Sequence, residues 1–343
     1  MKNYRLNIII VIILIGHCVN INVFAQESHF SQINKTPVIT NPANAGVMDY
    51  EMRITNNYRN QWKSINIPYN TLHFGIDKKI RAFKQQFGIS INVLNDLSQS
   101  NVIASNAFMF ALSYARFFER HQFVGGIGLG TVFKNFDLHN LTFGSQFDPD
   151  LGTFDVSSAS NENNLDQDLS YNDLSAGILW RSKVRDLEPL LGFSMYHLNR
   201  PDISFFNDDH PEHLSLKYTL HGNILIPVDS KYSLTPVFYY SYMGQSHEMI
   251  SGAILGYRPG EFKLPIQKVY GSSFFRINPA RNFDAMIIGG GIEFYNFDLG
   301  ISYDFNVSSL RKVTNFQGAV EISLIFINGR PRKKGSSEPC YML

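Results

Sequence analysis

Two acidic clusters are the first candidates for chemistry in this chain. Asp208-Asp-His-Pro-Glu-His213 places five potential metal ligands within six residues. Oxygen ligands with two imidazoles would suit zinc or a similar ion. The proline and the spacing match neither a helical His pair nor a zinc ribbon, so a solvated acidic loop is the expected reading. Asp148, Asp150 and Asp155 could offer oxygen to calcium, but they lack the regular spacing and terminal Glu of a known calcium loop. The ten histidines are scattered, and no Ser-His-Asp order stands out. Neither a catalytic residue, a resident metal nor a cofactor is expected, and the chain reads as a non-enzyme.

The elements that carry these residues are strands. In Phe297-Asp-Leu-Gly-Ile-Ser-Tyr-Asp-Phe-Asn306 the odd positions are apolar and the even ones polar or tiny. A period of two over ten residues gives a strand with one oily and one wet face. Ten residues is also the span of a tilted strand across a bilayer. Leu299, Ile301 and Tyr303 should therefore face lipid, and Asp298, Ser302 and Asp304 a lumen.

About 14 such segments are expected, bounded by turn residues. They centre on 50–58, 69–78, 85–94, 102–116, 122–136, 169–181, 188–198, 213–227, 231–243, 247–257, 267–277, 283–294, 296–306 and 317–327. An even count returns the chain to its starting side. Connections after even-numbered strands are short, as at Val228-Asp-Ser230 and Tyr295-Asn296, although Pro259 to Pro265 is longer. The opposite side carries the long loops 138–168 and 199–212. Short periplasmic turns with longer outer loops fit a single transmembrane antiparallel β-barrel over 50–327, integral to a bacterial outer membrane, with both termini periplasmic.

Composition agrees. Aromatic residues reach 14%, while charged residues fall to 17%, below the roughly 25% of soluble domains. Residues 1–25 read as a secretory signal: Lys2 and Arg5, an apolar run from Ile8 to Ile15, and Val23-Phe24-Ala25 for cleavage. Cys18 follows His17 rather than a small residue, which argues against lipidation. The mature chain keeps one cysteine, Cys340, so no intramolecular disulfide forms. A net charge of +1 gives no reason to expect nucleic acid, and membrane lipid is the surrounding partner.

Strand four sets Ala107, Ala111, Ser113 and Ala115 on the inner face, and strand five adds Gly126, Gly128 and Gly130. Small side chains leave room in a lumen that must hold water, a plug or a ligand. The segment 26–49, with its turn-rich Asn41-Pro-Ala-Asn-Ala-Gly46, is the available periplasmic or plug segment. Arg53, Asp77, Lys217, Arg276, Asp298, Asp304 and Glu321 should point inward. A polar wall satisfied by water is the plain expectation for them; a clamp on 26–49 is the sharper one. Residues 328–343 form a basic periplasmic tail, with Arg330, Arg332, Lys333 and Lys334 suited to an acidic partner or to keeping the tail solvated.

One order of motifs resembles a known family. His29-Phe-Ser-Gln32, Asn41-Pro-Ala-Asn-Ala-Gly46, Asn57-Tyr-Arg-Asn-Gln-Trp62 and Tyr69-Asn-Thr71 are similar to the N-terminal motifs of the PorP/SprF proteins of the type IX secretion system. Ile301-Ser-Tyr-Asp-Phe305, Ser308-Ser-Leu310 and Glu321-Ile-Ser-Leu324 resemble that family's last strands, and Pro339-Cys340 its C-terminus. Tyr341-Met-Leu343 departs from the usual ending, and Val320 stands where the family has His. The resemblance implies an outer-membrane protein of Bacteroidota serving secretion and gliding motility. Such a protein is either core machinery or the dedicated partner of a surface adhesin, whose C-terminal signal domain it receives and anchors. Periplasmic and outer-membrane secretion proteins would be further partners. The resemblance points to Asn41, Pro42, Gly46, Arg59, Gln61 and Trp62 as the partner site. The competing expectation is a passive channel for small solutes.

Overall fold

In the computed structural model of the chain the described residues are 27–62, 68–83, 85–98, 102–137, 142, 144–155, 157–158, 167–205, 211–260, 265–278, 282–312 and 314–328. The signal 1–25, the cations Arg330, Arg332, Lys333 and Lys334, and Cys340 lie outside them.

Fourteen antiparallel strands close into one barrel. They are β1 (Met52–Gln61), β2 (Tyr69–Ala82), β3 (Gln85–Ser98), β4 (Ile103–Phe118), β5 (His121–Phe136), β8 (Asp168–Ser182) and β9 (Glu188–Tyr196) in the first half. The second half has β10 (Lys217–Pro227), β11 (Tyr232–Met243), β12 (Ser246–Tyr257), β13 (Ile266–Asn278), β14 (Asn282–Phe294), β15 (Phe297–Asn306) and β16 (Gln317–Asn328). The remaining two, β6 (Phe147–Asp148) and β7 (Thr153–Phe154), make a separate hairpin in the loop between β5 and β8. Each barrel strand pairs with its neighbours in sequence, and β1 closes on β16 in the register Arg59↔Glu321. Among the described residues no helix is long and apolar enough to cross a membrane; the strands make the crossing.

All fourteen expected strands are present, and the bounds differ at the ends. β2 and β3 run on to Ala82 and Ser98, because their ladder continues through Ala82↔Gln85 at one end and Asn70↔Leu97 at the other. β10 begins at Lys217 rather than 213, since His213 bridges Asp202 in the preceding loop instead. β1 stops where Trp62 adopts a φ of 59°.

The expected faces hold. In β15, Leu299 and Ile301 are exposed to the outside, whereas Asp298, Ser302 and Asp304 are buried. Along β4, Phe108, Phe110 and Leu112 are exposed while Ala107, Ala111 and Ala115 are buried. The small inner residues do not border open space. Residues between Phe30 and Met48, many of them buried, pack against the inner wall through a helical turn at Pro37–Thr40 and a 3-10 turn at Pro42–Asn44. Gly46 turns there with φ +65°, and a Cβ on it would come within 2.6 Å of Gly88 Cα. A Cβ on Gly126 would meet Ala43 Cα at 2.5 Å. Glycine at these positions lets two backbones touch.

The course of this segment is legible from its partners. Glu27 sits beside His197 and Lys217 at the long-loop end. Lys35 reaches Asp298 near the short turn before β15. Asn41 meets β8, β9 and β10 on the opposite wall. Asp49 pairs with Arg181 near the short-turn end of β8. Contrary to the expectation that the segment begins on the side of the C-terminal tail, Glu27 and Asn328 lie at opposite ends of the barrel.

Candidate functional site

Ser31 and Gln32 are held by a cluster of charges from four strands. Glu321 accepts from Ser31 N at 2.7 Å and from Gln32 N at 3.0 Å. The Ser31 hydroxyl donates to Asp304 Oδ2 at 2.7 Å and accepts from Arg59 at 2.6 Å and Arg276 at 3.1 Å. Both guanidinium groups donate to Asp304, at 2.9 and 2.8 Å. Arg59 also donates to Glu321 at 3.3 Å and Arg276 to Asp284 at 2.7 Å. Arg59, Asp304 and Glu321 are each at most 1% exposed. Charges so far from water persist only when paired and hydrogen-bonded, and here the backbone of the inner segment supplies two of those bonds, both to Glu321.

The remaining contacts continue along the segment. Lys35 donates to Asp298, which also accepts from the Tyr270 hydroxyl at 2.7 Å. Burial pulls the Lys35 ammonium below its ordinary pKa, and Asp298 opposes that fall. Ser194 and Tyr196 donate to the carbonyls of Thr40 and Ile39 at 2.9 and 2.7 Å. Asn41 accepts from Ala43 N at 2.8 Å and donates across the wall to the carbonyls of Ile178 and Phe193, at 3.0 and 3.2 Å. Ser113 donates to Ala45 O, Asp77 accepts from Gly46 N, and Lys79 donates to Met48 O. Apolar contacts fill the gaps: Ala43 packs with Ala115, Val124 and Leu179, and Ile33 against the cluster of Val237, Ile250, Phe274 and Ile287.

The seven inward charges therefore do more than face water. Asp77, Lys217, Arg276, Asp298, Asp304 and Glu321 each bond the inner segment, and Arg53 holds Asp77 through two 2.8 Å bonds. Sequence reasoning preferred the solvated wall because polar alternation shows a direction and not a partner.

Above this layer, at the long-loop end, lies a vestibule of about 870 Å³. Glu27, His29, Trp62, Tyr69, Glu248 and Arg311 are among its lining residues. His29 Nε2 stands 3.6 Å from Glu248 Oε1; burial, then Arg276 and Arg59, hold the His29 pKa well below its ordinary value, so the imidazole is neutral. Of the residues expected at a partner site, Asn41, Pro42, Gly46 and Arg59 are buried and tie the segment to the wall. Gln61 and Trp62 line the vestibule, where Trp62 meets Tyr69 edge to face at 5.3 Å. His197, Glu27 and Glu248 escaped sequence reasoning, since each lies apart from any motif.

Among the described residues no group of three His, Cys, Asp or Glu side chains could hold an ion. Asp148 and Asp155 instead cap turns, accepting from Asp150 N and Ser157 N at 2.8 and 3.0 Å. Asp208 to His210 lie outside the described residues.

Residues 22–326 match the family described as type IX secretion system membrane protein PorP/SprF. The chain belongs to this family. Its place is the outer membrane, as part of a protein secretion system with secretion-system partners and substrates. No curated protein matches the sequence. Among solved structures, a Pseudomonas aeruginosa FadL homologue is 10% identical with a TM-score of 0.50, over 85% of this PorP/SprF chain and 94% of that one. The CymD monoaromatic hydrocarbon channel is 10% identical, with a TM-score of 0.49 over 86% and 94% of the two chains. The Pseudomonas putida toluene transporter TodX is 9% identical, with a TM-score of 0.48 over 87% and 93%. At such identities the likeness is one of fold alone.

Proposed function

We propose that this PorP/SprF protein is a non-enzymatic partner in type IX secretion that supports surface delivery or anchoring of adhesin-type substrates through their C-terminal signal domain. The observation that carries this reading is the inner segment. From Glu27 to Asp49 it crosses the lumen from wall to wall, held by the buried Arg59, Arg276, Asp304 and Glu321 cluster. A lumen occupied in this way works as a plugged barrel and not as a passive solute channel, which leaves the loops, the vestibule and the periplasmic face for protein contacts. Short turns are periplasmic in barrels of this kind. The inner segment then starts at the extracellular end, beside the vestibule that would meet a secreted substrate, while Asn328 lies at the periplasmic end.

Planar-bilayer recording of the purified protein tests the plug. A closed baseline is expected, and steady open-pore current would return the solute-channel reading. Purifying the intact outer-membrane complex should bring down secretion-system proteins and a surface adhesin; recovery of the barrel alone would count against the partner role.

A further inference from the structure

On the outer wall, two rows of side chains run side by side across strands. The row nearer the short turns is Arg116, Phe123, Trp180 and Leu191, in the pairings Arg116↔Phe123, Phe123↔Trp180 and Trp180↔Leu191. The next row, two residues deeper into the membrane, is Tyr114, Gly125, Ile178, Phe193 and Leu220. Gly125 is the gap in it. An added Cβ there would meet nothing within 4 Å, whereas its neighbours are large and exposed. The result is a groove of about 510 Å³ lined by these residues, within the range of about 300–1,000 Å³ typical of small-molecule sites.

The groove has one charged end. Arg116 donates to Gln85 Oε1 at 3.3 Å and lies over the Phe118 ring. Among the described residues no carboxylate pairs with it. Beside it, Trp180 donates to His121 Nδ1 at 3.3 Å and the Tyr114 hydroxyl to Gln85 at 2.8 Å. Trp and Tyr with their polar tips satisfied in this way mark the height of the membrane interface. An apolar trough that starts under a cation at headgroup level and runs toward the bilayer centre matches one chemistry: an acyl chain with a phosphate at its end. The floor is formed by β8 and β9, whose ladder is only six pairs long and is bridged from inside by Asn41.

We propose that this groove is a specific site for a glycerophospholipid of the periplasmic leaflet, with one acyl chain laid along Gly125, Ile178 and Phe193 and the phosphate on Arg116. A lipid seated here covers the shortest strand pairing in the barrel.

Native mass spectrometry of the barrel after exhaustive detergent exchange tests the site, with heat-modifiable migration reporting that each variant has folded. The wild type should retain one glycerophospholipid per barrel. Gly125→Leu fills the gap from the lipid side and should lower retention at least about fivefold, the burial of one or two methylenes. Leu220→Trp narrows the far end and should act in the same direction, which keeps the test sound should one variant fail to fold. Arg116→Ala should weaken retention and reduce the loss on raising salt. Equal retention in wild type and the filled variants would overturn the proposal. So would an acyl chain recovered attached to a polypeptide, which would make the groove a seat for a lipid-anchored protein.

Discussion

Arg59 and Asp304 meet at 2.9 Å inside the barrel although 245 residues separate them in sequence. Each is almost wholly buried, and Ser31 of the inner segment bonds both. The pair joins β1 to β15 across β16, next to the seam where the barrel closes, and fixes the inner segment at the same point.

Removing one member leaves the other charge buried without its counterpart. Arg59→Ala or Asp304→Asn should each destabilise the barrel by about 3–5 kcal/mol. Arg59→Lys should restore little, because one ammonium cannot reproduce bonds to Asp304, Glu321 and Ser31. Urea unfolding in lipid vesicles measures this, and an unchanged midpoint for Arg59→Ala would mean that the cluster contributes nothing.

Asn41→Ala removes the bonds to two wall carbonyls and to Ala43 N. A cost of about 1–3 kcal/mol is expected for leaving such buried groups unpaired. The effect should localise: proteolysis within 27–49 and hydrogen exchange at β8 and β9 should both rise, while β12 to β15 stay protected. Uniform loosening of all strands would contradict it.

Ile301 and Ser302 separate two kinds of failure. Ile301 is 57% exposed on the lipid face and Ser302 is 3% exposed toward the inner segment. Arginine at Ile301 should cost about 2–4 kcal/mol near the bilayer midplane and reduce the folded, inserted fraction. Arginine at Ser302 would instead meet the packed residues on the inner side of the wall. Ser302→Arg should still insert but expel the inner segment, read as protease cleavage within 27–49. Loss of insertion in both would show that the two faces are not distinguished.

The outer anchorage of the segment should depend on pH. Burial lowers the His197 pKa, but Glu27 and Asp173 overcome it and push it up to about 9, from an ordinary 6.5. Its contribution is therefore complete below 6.5 and lost as pH rises through about 9. For Glu27, burial raises the carboxyl pKa, but Lys217 and then His197 outweigh it and hold it well below its ordinary 4.5. That contribution is present above 4.5 and lost as pH falls through the lowered value. Protease access to the segment should be lowest between these limits and increase toward pH 10. His197→Gln should flatten the alkaline rise, and a wild type with no rise would refute the linkage.

The alternation in Phe297–Asn306, repeated in thirteen further segments, pointed to strands with one apolar face, which a membrane or a core accepts. Turn residues and the short-turn asymmetry fixed the strand count by local chain chemistry alone. The same alternation aimed Asp304 and Glu321 inward, but direction is a property of one strand and partnership is not. Which cation meets Asp304 depends on how fourteen strands close and on what enters the space they enclose. Small residues at Gly126 and Ala115 announced that something approaches closely, without naming Ala43. The path of Glu27 to Asp49, from the long-loop end to the short-turn end, was decided by the tertiary structure, since its backbone polar groups find their partners on walls that are distant in sequence.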